Sequence, residues 1–301
     1  MVLRFLSGWK VRAGLTVFLL FCLLALLGPW FCSSVLHISP TALDVDSVST
    51  PPSAGHLLGT TASGQDVLAQ LITGARQSMI AGLVASVLGT SIAVLVGVTA
   101  GLAGGVVDSV LTALTNVFLT MPAFALIFVI SGYTQGGGPV VIGIIIGIFG
   151  WAGGTRALRS QTLSLRNRDF VVAMRMLGES RVRLALVEVL PHLIGWISAM
   201  FLGGFVGGVL AEAGLAFLGL SSASTVSWGS MISEAQQGNA LLGGMWWWFA
   251  PPGLCIALLG ASVTLVNFGI DEISNPRLRN ARRTLVRRAR QAAVKGADSD
   301  E

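Results

Sequence analysis

The sequence predicts an all-α integral membrane protein with six transmembrane helices and both termini in the cytoplasm. Three observations carry that reading: scarcity of charge, six apolar runs of spanning length, and a one-sided distribution of basic residues. Of 301 residues, 53% are hydrophobic and only 11% charged, whereas a soluble domain carries about 25% charged residues. Lipid is the solvent in which such a surface stays dispersed. The 38 glycines agree, because membrane helices use glycine to bring backbones close.

A helix needs about 20 apolar residues to cross the hydrocarbon. Runs at roughly 13–32, 79–104, 110–131, 139–157, 193–212 and 249–270 qualify. The first has an apolar core from Ala13 to Phe31, longer than the roughly 7–15 residues of a signal-peptide core. No small-x-small cleavage pattern follows it, so it is read as a retained span. Pro122 and the Pro251-Pro252 pair free backbone carbonyls and are expected to kink or begin helices.

Orientation follows from Lys and Arg. With both ends inside, 18 of the 19 basic residues are cytoplasmic and Arg76 alone is outside. The chain then divides into a cytoplasmic N-tail (1–12), the first helix (13–32), an extracytoplasmic segment (33–78), a five-helix core (79–270) and a basic cytoplasmic tail (271–301). The core includes a charged loop at 158–192 and an outer loop at 213–246. The outer loop ends in Trp246-Trp247-Trp248, which suits an interfacial belt or, alternatively, a core aromatic cluster.

The spans hold almost no ionisable side chains, with Asp108 and Glu212 near span ends. A carrier driven by its own ion gradient places acidic or His groups at the midplane. An intramembrane hydrolase needs Ser/His, paired Asp or a zinc motif within spans. Neither pattern is present in the sequence, so the driving force is expected from elsewhere. Cys22, Cys32 and Cys255 are odd in number and lie at no metal-ligand spacing with His37, His56 or His192. They read as small apolar residues, and no metal site is expected. Glycine pairs four apart (97/101, 101/105, 143/147, 150/154, 203/207, 204/208) place two glycines on one helix face. Such faces serve either sliding helices or static packing.

One stretch breaks the pattern. Residues 170–192, FVVAMRMLGESRVRLALVEVLPH, crowd Arg175, Glu179, Arg181, Arg183 and Glu188 among apolar residues at near-helical spacing. Gly178 followed by Ser180 reads as a C-cap and an N-cap between two short helices. Pro191 is expected to mark the passage into the fifth span. The result is a hairpin at the cytoplasmic surface with an apolar ridge flanked by arginines. Such a ridge wants a partner's groove or, alternatively, lies on anionic lipid.

Here the sequence resembles a known family. Val172-Ala173-Met174-x3-Gly178-x9-Glu188-Val189-Leu190-Pro191 is similar to the EAA loop of ABC-importer permeases, Glu-Ala-Ala-x3-Gly-x9-Ile-x-Leu-Pro. Ala173, Gly178, Leu190 and Pro191 match, while Val172, Met174 and Glu188 depart. Flanking motifs resemble the C-type membrane subunit of the dipeptide/oligopeptide (nickel) branch. They are His56-x-Leu58-Gly59-Thr60 with Gly64-x-Asp66, Gly74-Ala75-Arg76, Glu212-Ala213-Gly214-Leu215-x-Phe217-Leu218-Gly219-Leu220, Trp228-Gly229-Ser230-Met231 and Asn267–Arg277. Thr61, Gln65 and Asn275 depart from that branch's usual residues. The likeness covers about residues 13–280.

The resemblance implies a multi-pass permease of the prokaryotic inner membrane. It would form half of a peptide translocation path with a second, B-type permease subunit. Two ATP-binding subunits, or one fused double ATPase, would hold ATP and Mg. The chain itself has no Gly-x4-Gly-Lys-Ser/Thr phosphate loop, needs no cofactor and is not an enzyme. A substrate-binding protein would deliver di- or oligopeptides, or alternatively nickel or another small solute. Phe170, Val171, Ala173, Met174 and Leu177 would fill the ATPase groove. Gly178 would set the turn, Arg175 and Arg181 would pair with acidic rim residues, and Leu190-Pro191 would close the loop. Arg76, Asp66, Glu212 and Trp228 are expected at the outer mouth or on the binding protein, with a lipid-headgroup anchor as the other role for Arg76. The tail Arg282-Arg283…Arg287-Arg288-x-Arg290 is expected to lie on anionic lipid rather than on nucleic acid.

Overall fold

The structure, a computed structural model, describes residues 9–134, 137–220 and 225–274, with side chains as far as 270. The basic tail and the Asn275–Arg277 motif lie outside the described residues. Among the described residues nine helices follow in order: α1 (Trp9–Ser34), α2 (Val67–Ala103), α3 (Gly105–Thr120), α4 (Ala123–Tyr133), α5 (Gly138–Arg166), α6 (Asp169–Met176), α7 (Arg181–Phe217), α8 (Trp228–Gln237) and α9 (Trp246–Ser274). Between α1 and α2 the chain makes one short 3-10 turn at Val45–Ser47 and an isolated bridge between Thr60 and Asp66.

Helices α1, α2, α5, α7 and α9 are each long and apolar enough to cross a membrane. Helices α3 and α4 make a sixth candidate span only as a pair, bent by 78° where they meet. The cause of the bend is local. A proline disfavours helical backbone in the residue before it, and Met121, ahead of Pro122, is extended at φ −72°, ψ 137°. Pro122 thus does more than kink the span, since it divides it in two.

Several boundaries move from the sequence expectation. The second span begins at Val67, so residues 67–78 are helix rather than loop. Asp66 starts it by accepting the Ala69 N–H at 2.9 Å, the usual service of an N-cap carboxylate. The outer loop contains the end of α7 and all of α8. Pro251 and Pro252 lie inside α9, which begins at Trp246. Pro191 separates nothing, because Arg181–Phe217 is one 37-residue helix. Its missing N–H is absorbed by a π-helical stretch at Leu184–Val189, a common device where the regular ladder is interrupted. Beside it the Glu188 carbonyl accepts from His192 Nδ1 at 2.8 Å.

The two 37-residue helices, α2 and α7, are each about 55 Å long at 1.5 Å per residue, well beyond the roughly 30 Å hydrocarbon. Both therefore emerge from lipid. At one end α5 and α7 are joined by α6 (the hairpin end); at the opposite end stand the 33–66 segment and α8.

Helix α2 is the centre of the bundle and packs most extensively on α5, then on α7. Glycine makes both approaches possible. A methyl on Gly143 of α5 would lie 2.7 Å from the Ala81 carbonyl, and one on Gly97 of α2 would lie 2.9 Å from the Thr155 carbonyl. Gly82 and Gly208 face each other across α2 and α7, with a methyl on Gly208 falling 3.0 Å from Gly82 Cα. Gly150, Gly203 and Gly207 meet no neighbour within 4 Å. The pairs 97/101 and 143/147 thus lie wholly in helix contacts, whereas 203/207 lies in none.

Three apolar clusters run along this framework: Trp228, Met231 and Leu259 near the opposite end, Ile142, Ile146 and Leu215 beside α4, and Leu158, Val171 and Leu193 beneath the hairpin. Helix α1 belongs to the first, its Phe21 set edge-on to Trp228 at 5.5 Å. Gly143→Ala should lower stability by about 1–3 kcal/mol through overpacking, read as a fall in Tm of the purified protein in detergent. Gly150→Ala, facing open space, should leave Tm unchanged.

Candidate functional site

The hairpin is closed by two complementary caps. Helix α6 carries Asp169 in its first turn and Arg175 in its last, each sign favourable to the helix dipole. It ends in a Schellman motif: Gly178 donates to the Arg175 carbonyl at 3.1 Å and Glu179 to the Met174 carbonyl at 3.2 Å. That geometry puts Gly178 at φ +82°, a left-handed conformation suited to glycine. Ser180 then caps α7, its Oγ accepting the Arg183 N–H at 3.2 Å. The Gly and Ser signals in the sequence are the two caps.

The apolar ridge divides differently from expectation. Val171 is fully buried, Phe170 stacks on the His192 ring at 5.1 Å, and Met174 and Leu190 pack against Leu184, Val189 and Leu193. These side chains anchor the hairpin to its own bundle, Val171 with its whole surface and Phe170, Met174 and Leu190 with part of theirs. The reason is length: an eight-residue helix is not stable alone and needs tertiary packing on one face. Ala173, Arg175, Leu177, Gly178, Arg181 and Pro191 are exposed. Sequence reasoning missed Met176 and Val182, which are 84% and 67% exposed beside Leu177 at 77%. The signal was there: Met176 and Leu177 flank the cap, where a ridge following one helical face must run off its end.

Beneath the hairpin, polar contacts tie α3 to α5. Arg159 donates to both carboxylate oxygens of Asp108, at 2.6 and 2.7 Å, the bidentate form in which an Arg–carboxylate pair is strongest. Arg156 Nη2 donates to Asn116 Oδ1 at 2.9 Å.

At the opposite end, three of the four residues expected at the mouth are buried in contacts within the fold. Glu212 is buried and accepts from Ser78 Oγ at 3.2 Å. Ser78 Oγ in turn accepts the Trp228 backbone N–H at 3.2 Å, and Trp228 Nε1 donates to the Leu71 carbonyl at 3.0 Å. Ser78, which nothing in the sequence singled out, thus joins α2, α7 and α8. Asp66 is buried as the α2 cap and bonds His56 Nδ1 at 2.8 Å. Only Arg76 is exposed. Physically, the early start of α2 draws this region into the packed bundle. The tryptophan triplet splits likewise: Trp246 is exposed, Trp248 is buried, and Trp247 donates to the Thr60 carbonyl at 3.2 Å.

His56 also approaches Asp44 through Nε2 at 3.5 Å. Its imidazole is pushed above its ordinary 6.5, chiefly by the hydrogen bond to Asp66 and against partial desolvation. Asp44 is held below the usual carboxylate range, first by its bond with Ser47. Between α2, α5 and α7 lies a cavity of about 260 Å³ whose lining, including Ser86, Thr90, Trp151, Met200 and Gly207, carries no ionisable group.

A bundle of six spans, a capped hairpin between the last-but-two and last-but-one, and an uncharged cavity define a membrane permease subunit. The family model for the inner-membrane component of binding-protein-dependent transport systems matches residues 93–280, and the chain belongs to that family of ABC-importer permeases. It is 32% identical to the oligopeptide transport system permease protein OppC of Mycobacterium tuberculosis (strain H37Rv), over 94% of this chain and 95% of that protein. Identity is 30% with the dipeptide transport system permease protein DppC of Bacillus subtilis (89% and 82% covered) and 33% with the nickel transport system permease protein NikC of Escherichia coli K12 (90% and 96%). The protein is therefore a multi-pass inner-membrane component of such a transporter, a membrane subunit rather than a catalytic one.

The His56 contacts make the 33–66 segment pH-dependent. A histidine with a raised folded pKa contributes stability that is full below its ordinary value and lost as pH rises through the folded one. Proteolysis of this segment should accelerate as pH rises above the ordinary imidazole value of 6.5, and His56→Asn should make the rate high and pH-independent.

Proposed function

We propose that the chain is the C-type permease of an ATP-driven importer of di- or oligopeptides, paired with a B-type permease to enclose the path. Relatives bearing oligopeptide and dipeptide transport names support the cargo. Nickel, or another small solute, is the second reading, supported by the equally similar nickel permease. The hairpin end is cytoplasmic in this reading, because it gathers the basic residues.

The observation that carries the coupling role is the construction of the hairpin: a base buried in its own bundle and a bare apolar tip. Met176 and Leu177, flanked by Arg175 and Arg183, seat in the groove of an ATPase whose dimer binds ATP and Mg. Because Phe170, Val171 and Met174 fix the base, movement of the tip is passed to α5 and α7 as rigid levers. The Arg159–Asp108 pair passes it on to α3, below the bend at Pro122. The bend and the uncharged cavity then reshape the path without any ionisable group at the midplane. At the opposite end the 33–66 segment, α8 and exposed Arg76 receive the substrate-binding protein. Separate and fused ATPases fit this geometry equally.

Gly178→Pro tests the turn, because a proline ring holds φ near about −65° where the turn needs +82°. Leu177→Asp tests the tip. In vesicles holding the complete transporter, both should reduce ATP-driven uptake by about tenfold or more, the loss typical of a buried interface anchor, while membrane insertion is normal. Undiminished uptake by either variant would refute the docking role.

A further inference from the structure

We infer that the groove between α2 and the π-helical start of α7 binds an anionic phospholipid, its acyl chain lying in the groove and its phosphate on Arg181. The groove has a volume of about 280 Å³. Leu95, Val98 and Leu102 form one wall; Ala185, Leu186 and Leu190 form the other. From Leu95 to Leu102 is about 10 Å along the helix axis. The groove opens sideways, with Leu95 68% and Leu186 58% exposed.

The charge is arranged as in an amphiphile. Arg181 lies among the lining residues at the end where the chain becomes charged, and every other lining side chain except Thr99 is apolar. Arg183, its near neighbour, is taken by Glu179 at 3.0 Å. Arg181 makes no ion pair among the described residues and is exposed. A cation at the mouth of a hydrocarbon-walled slot matches a phospholipid in both of its parts.

The π-helical stretch supplies the second wall, and such stretches are frequent at functional sites. A lipid seated here would wedge between the central helix and the root of the hairpin, so that membrane composition acts on the stroke-bearing element itself.

The test uses the complete transporter in vesicles of phosphatidylcholine containing a minor fraction of phosphatidylglycerol. A photo-crosslinking amino acid replaces Leu102, and in a control replaces lipid-exposed Leu20 on α1. Position 102 should capture phosphatidylglycerol well above its bulk fraction, and position 20 in proportion to it. Arg181→Gln should lower that enrichment about fivefold, the weight of one basic residue at an anionic surface, and Arg181→Lys should retain most of it. Bulk-proportion capture at 102, enrichment indifferent to Arg181, or capture of the second permease or of residues 1–8 would each overturn the assignment.

Discussion

Everything in this protein rests on the close approach of α2 to α5 and α7. In lipid there is no hydrophobic gain when two apolar helices meet, so association depends on van der Waals contact and a few polar bonds. Contact of that kind falls off steeply with distance. Gly97, Gly143, Gly82 and Gly208 remove the side chains that would hold the backbones apart. The other spans are arranged around this three-helix centre, with α1 and α9 on one side and the broken α3–α4 span on another.

The two ends of the bundle solve different problems. At the opposite end, Glu212, Ser78 and the Trp228 backbone bond one another inside the fold while Asp66 caps α2, which makes a firm platform of α2, α7 and α8. Such groups are costly to bury unless fully bonded, and bonded they specify one arrangement. At the hairpin end the apolar residues are shared. One face of α6 is used to hold the element in place, and what remains at the turn is exposed. A projecting element must be rigid at its root and sticky at its tip, and eight residues suffice only because Gly178 and Ser180 cap the break between its arms.

Legibility followed the range of the interactions involved. Caps are local, so Gly178 and Ser180 were visible in sequence, as was a kink or helix start at Pro122, although the 78° division was not. Hydropathy windows found six spans but missed the first turns of α2, because Gln70, Thr73, Arg76 and Gln77 dilute the apolar signal while the helix continues. The polar residues were seen and misplaced. Asp66, Glu212 and Trp228 looked like surface groups because their partners lie in remote parts of the chain, Ser78 being 134 residues from Glu212. Val171 and Met176 changed places for the same reason: which side of α6 faces α7 depends on how the two helices are docked.

Composition, span length and basic-residue bias by themselves determined that this chain lives in a membrane as six spans, and its local motifs determined where the hairpin turns. Those properties arise from solvent transfer and from backbone geometry within a few residues. Tertiary structure alone decided which glycines are contacts and which face a cavity, which carboxylates are buried braces, and which hairpin residues are left bare. Each of these depends on atoms brought together across the bundle, where the period of one helix says which residues share a face but not which neighbour that face will meet.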